Sequence, residues 1–302
     1  MTNLKPILDY LIYNGLFYLI NEPMNRHTTF QIGGPADIVV YPTRRREICD
    51  LVRICRTEDI PYISLGNGSN VLVSDAGIRG LVIMTDRMHR ITVDNDSRIE
   101  AWAGAPLSRV ATIAKNYQLS GLEFAFGIPG SVGGGVFMNA GAYGGEMSQV
   151  IKSVLCYDAE NKKTVELLRE ECNFSYRHSV FMENKKIVVL GASFELAKGD
   201  WEEIEAVCRK NMTARREKQP LEYPSCGSAF KRPQGHFAGK LIEDCGLKGF
   251  TVGGAQISEK HAGFVVNLGG ATAADVRATL ELIQEKVKEK SGVELEPEVQ
   301  IW

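Results

Sequence analysis

Glycine is the residue type that first points to chemistry in this chain, because 30 of its 302 residues are glycine. That is about a tenth of the chain, against roughly 7% in an average protein. Eight of these glycines lie in segment 127–145, together with apolar residues such as Ile128, Val132 and Phe137. So many glycines raise the entropy cost of folding. The mixture is typical of a buried backbone that lies against something flat or bulky, such as a nucleotide or a flavin; tight packing of chain against chain is the alternative.

A second loop, Gly66-Asn67-Gly68-Ser69-Asn70, follows an apolar run at 62–65. Glycines here permit positive φ and let backbone N–H groups approach a phosphate. The loop is not the dinucleotide fingerprint, because Val71 stands where its third glycine would be, and no Walker A lysine is present. Taken alone, the loop is equally consistent with a tight turn.

The composition excludes several classes of protein. Hydrophobic residues make up 44% of the chain and charged residues 24%, so a chain of this length can bury ordinary cores and is not expected to be disordered. The net charge of −2 gives no global attraction to nucleic acid or to an anionic membrane. The seven cysteines are scattered without a C-x-x-C pair, and no two histidines form H-x-x-x-H. We therefore predict reduced thiols in a cytoplasmic protein and no metal site.

The residues around the two loops predict alternating strands and helices. Strands are predicted at 36–41, 62–65 and 80–84, with a helix at 44–57 whose buried face is Ile48, Leu51, Val52 and Cys55. This β-α-β order favours a small parallel unit. Further strands are predicted within 90–103 and at 150–157, 163–167 and 187–196, with a helix at 107–117 after Pro106.

The two ends of the chain also carry helical patterns. Residues 7–20 have apolar positions at helical spacing but are too short for a membrane span, so we expect an amphipathic surface helix rather than a signal peptide. A charged helix is predicted from Trp201, with Trp201, Ile204, Cys208 and Met212 on its apolar face. A last helix at 272–290 begins with a sequence that resembles a capping box, buries Val276, Leu280, Ile283 and Val287, and stops at Gly292. Residues 293–301 alternate like a strand, with Pro297 at an edge or bend.

Eight motifs, in order over roughly residues 25 to 300, together resemble the UDP-N-acetylenolpyruvoylglucosamine reductase family. They are TTFQIGGPAD at 28–37, GNGSN at 66–70, IPGSVGG at 128–134, MNAGAYG at 138–144, SYRHS at 175–179, PSCGSAFK at 224–231, AGKLIE at 238–243 and EPEV at 296–299. The Tyr176-Arg177-x-Ser179 form and the short C-terminal part are similar to the subgroup that lacks an extra substrate loop.

The resemblance implies an α+β protein with an FAD-binding fold of the p-cresol methylhydroxylase type and a C-terminal α+β substrate-binding domain. The expected division is an N-terminal helix at 1–24, an FAD-binding domain at 25–200 with subdomains at about 25–87 and 88–200, and a substrate-binding domain at 201–302. The boundary near 200 also follows from the sequence, because the strand run ends there and a charged helix begins.

The resemblance further implies NADPH-dependent reduction of the enolpyruvyl group of UDP-N-acetylglucosamine enolpyruvate to UDP-N-acetylmuramate, a step of peptidoglycan precursor synthesis. FAD would be bound non-covalently, NADPH would be the co-substrate and the UDP-sugar the only partner, in a cytoplasmic monomer without membrane insertion. By motif match, Arg177 would stabilise negative charge on the substrate, Glu298 would assist it and Ser228 would donate a proton. Lys218, Lys231 and Tyr176 would contact the substrate.

The FAD would be held by residues of the two glycine loops. By the resemblance these are Gly66, Asn67, Gly68, Ser69, Asn70, Gly130, Ser131, Gly133, Gly134, Asn139, Ala140 and Gly141. Arg232 departs from the family pattern, because an asparagine that is expected to contact substrate usually stands there.

Spacing alone leaves several points open. Glu294, Glu296 and Glu298 would share one face of a terminal strand, so only the motif selects Glu298.

One alternative function is that of an oxidase of the same fold. Many of these attach FAD covalently, but loop 66–70 contains neither histidine nor cysteine. A second is a thiol or serine hydrolase that pairs Cys226 or Ser228 with His261, although no G-x-S-x-G elbow occurs.

Overall fold

The computed structural model describes residues 3–94 and 97–302. Within them the helices are α1 (Lys5–Tyr13), α2 (Arg45–Thr57), α3 (Leu107–Asn116), α4 (Val132–Met138), α5 (Val180–Glu183), α6 (Trp201–Lys218), α7 (Ala238–Asp244) and α8 (Ala273–Ser291). The strands are β1 (Tyr18–Pro23), β2 (Pro35–Val40), β3 (Tyr62–Leu65), β4 (Val71–Leu72), β5 (Ile78–Met84), β6 (Ile91–Asp94), β7 (Arg98–Trp102), β8 (Leu119–Ser120), β9 (Gly141–Ala142), β10 (Gly145–Glu146), β11 (Ile151–Asp158), β12 (Lys163–Leu168), β13 (Ile187–Glu195), β14 (Ala197–Lys198), β15 (Ser225–Ser228), β16 (Thr251–Val252), β17 (Ala255–Ile257), β18 (Phe264–Asn267) and β19 (Gln300–Ile301).

The first of two compact units comprises the residues up to Asn21 together with Asp37–Asn67 and Arg79–Thr213. One of its sheets has the order β1-β2-β5-β3, and β3 pairs in parallel with β5. Strand β2, helix α2 and strand β3 follow one another in the predicted order, with β5 between the two strands in the sheet. Helix α2 buries the four residues predicted for its inner face. These side chains and those of α1 form one apolar core with the strand residues Ile38, Leu81 and Ile83.

The other large sheet of this unit is antiparallel, with the order β12-β11-β13-β7-β6. Its strands begin and end within about two residues of the predicted limits at 150–157, 163–167 and 187–196. Helices α3 and α4 contribute Leu107, Val110, Val132 and Val136 to a second core with the buried strand residues of this sheet. The glycine-rich helix α4 therefore packs on this sheet through its apolar side chains.

The second unit comprises Glu22–Ala36, Gly68–Ile78 and Ala214–Trp302. Its sheet has the order β15-β18-β17-β16, with α7 and α8 contributing to the same core as Phe30, Leu72 and Phe230. The prediction for α8 is confirmed: Thr272 and Asp275 form a capping box, the predicted stripe is buried, and Gly292 ends the helix at φ +73°. Among the described residues, no helix combines the length and apolar character that a membrane crossing requires.

Three predictions about elements are wrong. The N-terminal helix stops at Tyr13, because the chain turns at Gly15 with φ +63° and continues as strand β1. In segment 293–301 only Gln300 and Ile301 form a strand, which pairs in parallel with β4. Trp201 is 44% exposed, so it does not belong to the buried face of α6. The two units separate inside α6 after Thr213, and the domain division at residue 200 stays a prediction.

Candidate active site

The two glycine-rich loops meet within the first unit. Gly66 directly follows β3, and a Cβ built on it would lie 2.1 Å from Oγ of Ser131, so only glycine fits there without a shift. The side-chain amide of Asn67 donates a hydrogen bond of 2.8 Å to the carbonyl of Pro129. The structure thus brings together two segments that the sequence singled out separately.

Several backbone N–H groups at this meeting point are unused. Those of Gly66, Asn67, Gly130 and Ser131 have no hydrogen-bond acceptor in the described part of the chain. Unpaired N–H groups at neighbouring positions suit an anion with several oxygens, such as a pyrophosphate. The residues present therefore fit the diphosphate of a dinucleotide.

Helix α4 explains part of the glycine excess by packing. A Cβ on Gly133 would lie 3.1 Å from the side chain of Ala103, and one on Gly135 would lie 2.8 Å from Leu107. By contrast, Gly134 is exposed, and its Cβ would meet only Oγ of Ser131, at 3.5 Å. Ser131 caps the helix by accepting a 3.3 Å hydrogen bond from the Gly134 N–H. Chain packing thus explains Gly133 and Gly135, while a contact of Gly134 with a ligand stays a prediction.

Arg177 lies on a tight turn beside this segment. The backbones of Ser175 and His178 exchange hydrogen bonds of 3.2 and 3.1 Å, and Arg177 adopts a left-handed φ of +54°. Nη2 of Arg177 donates a 2.9 Å hydrogen bond to the carbonyl of Gly141, and its guanidinium carbon lies 4.9 Å from the ring centre of Tyr176. A left-handed arginine is an uncommon conformation that clusters at functional sites.

Ser228 and Glu298 are brought together in the second unit. The N–H of Glu298 donates to the carbonyl of Ala229 at 2.9 Å, so the residue after Ser228 pairs directly with Glu298. The amide of Asn70 donates a 3.1 Å hydrogen bond to the Glu298 carbonyl. This backbone pairing could not be predicted from sequence, because the two residues are 70 positions apart.

The other acidic residues of this segment have lysine partners. Glu294 forms a 2.6 Å ion pair with Lys288, and Glu296 forms one of 2.5 Å with Lys231. Both carboxylates are largely exposed, so these pairs stabilise the fold little.

The remaining predicted substrate residues lie on different elements. Lys218 is the exposed last residue of α6, and Lys231 is held by its ion pair with Glu296. Arg232 stacks on Phe237, with its guanidinium carbon 4.0 Å from the ring centre, and its Nε donates to the carbonyl of His236 at 3.3 Å. The guanidinium at position 232 is thus fixed by its own loop.

The chemistry of a thiol hydrolase is not supported. Cys226 is buried, and burial raises the pKa of its thiol to about 12, so almost no thiolate forms near neutral pH. His261 accepts a 3.0 Å hydrogen bond at Nδ1 from the Gly263 N–H, and burial lowers the pKa of its ring. In the described part of the chain, no three His, Cys, Asp or Glu side chains come together as a metal site.

Comparisons with known proteins agree with the resemblance. Residues 36–166 match the FAD binding domain family, and residues 219–302 match the C-terminal domain of UDP-N-acetylenolpyruvoylglucosamine reductase. The UDP-N-acetylenolpyruvoylglucosamine reductase of Caldanaerobacter subterraneus subsp. tengcongensis is 50% identical over 294 residues, which cover 97% of this chain and 96% of the relative. The chain belongs to this family. The Clostridium botulinum reductase is also 50% identical, over 94% of this chain and 92% of its own length.

A solved structure supports the same assignment. The crystal structure of the Thermus caldophilus UDP-N-acetylenolpyruvylglucosamine reductase has a TM-score of 0.79 and 35% identity, and the match covers 95% of this chain and 98% of that one. The predicted family and FAD-binding fold class are therefore confirmed. The chain is an FAD-dependent oxidoreductase of a family that uses FAD and NADPH.

Proposed function

We propose that this protein reduces the enolpyruvyl group of UDP-N-acetylglucosamine enolpyruvate to UDP-N-acetylmuramate, with NADPH as the source of hydride. Hydride adds to C3 of the enolpyruvyl ether and a proton adds to C2, while NADPH becomes NADP⁺. The observation that carries this proposal is the backbone pairing of the Ser228 segment with Glu298 in a chain of this family, because it places the proposed proton donor and its proposed acidic helper on paired segments. A cytoplasmic monomer remains part of the proposal.

The N–H groups of Gly66, Asn67, Gly130 and Ser131 would hold the FAD diphosphate, and bound FAD supplies the hydride transfer between NADPH and substrate. Unpaired backbone donors are suited to this task because they are fixed in direction before the ligand binds. We propose the other residues of the two loops as further contacts along the cofactor, except Asn139, whose side-chain amide is fully used inside the protein. Among these, Gly134 has the open space that a close approach of the flavin would require.

Arg177 would stabilise the negative charge that develops on the substrate carboxylate. Guanidinium donors arranged as a planar fork match a carboxylate in two places. The Gly141 carbonyl binds Nη2 at 2.9 Å and thereby fixes the plane of the fork. Preorganised donors of this kind usually supply the largest single part of transition-state stabilisation.

Ser228 would protonate C2, and Glu298 would act on the same intermediate. Serine is a weak acid, but an enolate carbon is strongly basic, so the hydroxyl is a sufficient donor. General acid catalysis contributes roughly 10²- to 10⁴-fold. Lys218 would meet the phosphates or the carboxylate of the substrate, since a lysine point charge suits either, and Lys231 and Tyr176 would be further substrate contacts.

The test separates the two half-reactions. Purified protein should be yellow, NADPH should bleach it, and the enolpyruvyl substrate should restore the colour. In Ser228→Ala, bleaching by NADPH should proceed at the wild-type rate while reoxidation by substrate is lost. Normal reoxidation of this variant in stopped-flow would overturn the role of Ser228, and steady hydrogen peroxide production without substrate would indicate an oxidase instead.

A further inference from the structure

The turn that carries Arg177 is attached to the end of helix α4 at two buried points. The amide of Asn139 donates a 2.9 Å hydrogen bond to the carbonyl of Ser175, two residues before Arg177. The hydroxyl of Ser179, two residues after Arg177, donates a 2.6 Å hydrogen bond to the carbonyl of Phe137. Asn139 and Ser179 are both fully buried. Each end of the turn is thus tied to the last residues of α4.

Both ends of the Asn139 amide are used inside the protein. Its Oδ1 accepts a 2.9 Å hydrogen bond from the N–H of Ser148, while its Nδ2 serves the Ser175 carbonyl. The two partners fix which end is nitrogen, because one is a donor and the other an acceptor. Only an asparagine of this size provides both bonds, since an aspartate lacks the N–H donor.

The Ser175 carbonyl has a second task. It also accepts the N–H of His178 at 3.1 Å, and this bond closes the turn around Arg177. The Asn139 amide therefore holds the same atom that defines the shape of the turn. Arg177 has φ +54°, a conformation that persists only where the surroundings hold it.

We propose that Asn139 is a positioning residue that fixes the Arg177 turn to the glycine-rich helix, so that the segment expected to flank the flavin also sets the position of the guanidinium. This inference rests on the role proposed above for Arg177. It gives Asn139 a task that its place in the MNAGAYG motif did not indicate, since the resemblance implied a contact with the cofactor. The Ser179 hydroxyl supports the same attachment from the other side of the turn.

The decisive variant is Asn139→Asp, which keeps the size and the Ser148 bond but replaces the donor by an acceptor. We expect normal flavin content, a normal visible spectrum and a wild-type rate of bleaching by NADPH. Reoxidation by saturating substrate should fall by about 10- to 100-fold, because a displacement of about 1 Å in a catalytic group has effects of that size. KM should change less than kcat.

The pH profile of reoxidation distinguishes a positioning role of Asn139 from a general loss of stability, which would not be reversed at low pH. Burial raises the pKa of an introduced carboxyl, and below that pKa its O–H donates to the Ser175 carbonyl again. Reoxidation in Asn139→Asp should therefore recover as the pH falls, relative to wild type at each pH. The neighbouring ionisable groups are present in both proteins and form the baseline: Glu123, Glu146, Arg177, and His178 with its ion-pair partner Glu183.

Asn173→Asp is the matched control. Asn173 has a left-handed backbone, with φ +47°, as Asn139 has, with φ +43°, and it lies two residues before Ser175. It is exposed, and its amide has no hydrogen bond within the described residues. The substitution adds the same charge near the turn, so it should leave reoxidation unchanged and show no recovery at low pH.

Asn139→Gly serves if the aspartate variant fails to fold, because glycine accepts the left-handed backbone at position 139. It removes both side-chain hydrogen bonds, the one to the Ser175 carbonyl and the one from the Ser148 N–H. Wild-type reoxidation in Asn139→Asp or Asn139→Gly would overturn the inference. Loss of FAD binding with normal reoxidation of the loaded fraction would also overturn it, since Asn139 would then act on the cofactor alone. Arg177→Ala tests the proposed role of Arg177 separately from that of Asn139, because normal reoxidation in Arg177→Ala would refute the role of Arg177 itself.

Discussion

Gly66→Ala tests whether the contact between the two glycine loops is as tight as the structure indicates. The added Cβ would lie 2.1 Å from Oγ of Ser131, about 1.3 Å short of ordinary contact. Ser131 is 1% exposed and caps α4, so it has little room to move. Overpacking of this kind costs about 1–3 kcal/mol of unfolding free energy.

The same shift should weaken FAD binding. The N–H groups of Gly66 and Ser131 would separate, and a hydrogen bond to a charged group contributes about 1.5–3 kcal/mol. Loss of one such bond corresponds to about 10- to 100-fold weaker affinity. The assay is titration of deflavinated protein with FAD, followed by flavin fluorescence, together with the melting temperature of each variant.

A double-mutant cycle provides the control. Ser131→Ala removes the atom that clashes, and the next nearest atom to the new methyl group is then Cβ of residue 131, at 3.1 Å. The double variant should therefore bind FAD more tightly than Gly66→Ala alone, with a coupling energy of about 1 kcal/mol or more. Strictly additive effects, or a Gly66→Ala protein that binds FAD like wild type, would refute the reasoning.

Two further predictions concern the second unit. Hydrogen bonds from the N–H of Thr272 and then from that of Gly254 lower the pKa of the Asp275 carboxyl. The charged carboxylate therefore stabilises the folded protein above the ordinary aspartate pKa of about 4. This stabilisation is lost as the pH falls through the lowered pKa of the folded state. Asp275→Asn should therefore flatten the fall in melting temperature on the acid side, and an unchanged slope would contradict this. Burial raises the pKa of the Cys226 thiol to about 12, so Cys226 should resist iodoacetamide at pH 7 until the protein unfolds, while the partly exposed Cys245 reacts earlier. Peptide mass spectrometry that finds Cys226 labelled as early as Cys245 would refute this.

Elements with local signals could be predicted from the sequence. Helix α8 has a capping box, a continuous apolar stripe and a glycine stop, and all three lie where expected. Helix α4 could not be predicted, because three of its seven residues are glycine and each costs about 1 kcal/mol relative to alanine. It forms because Gly133 and Gly135 allow close packing on Ala103 and Leu107, which is information from distant parts of the chain.

In the candidate site too, some features have a local sequence signal and others depend on contacts between distant parts of the chain. The residue types of the two glycine loops indicated a flat or phosphate-bearing ligand before any family was considered. Their contact through Asn67 and Pro129 depends on folding, as does the pairing of Glu298 with the Ser228 segment. The Asn139 amide had no sequence signal of its own, because its two partners lie 9 and 36 residues away.

The pairing of β19 with β4 has a consequence for the order of events during synthesis. Asn70 binds the carbonyl of Glu298 at a separation of 228 residues, and the Ser74 N–H donates to the carbonyl of Trp302. At about 5–20 residues per second, the ribosome makes the partner strand roughly 10–45 seconds after the loop itself. Throughout that interval the nascent loop lacks its neighbouring strand. A translating chain should therefore become able to retain flavin only after residues 298–302 have been made and have paired with this segment.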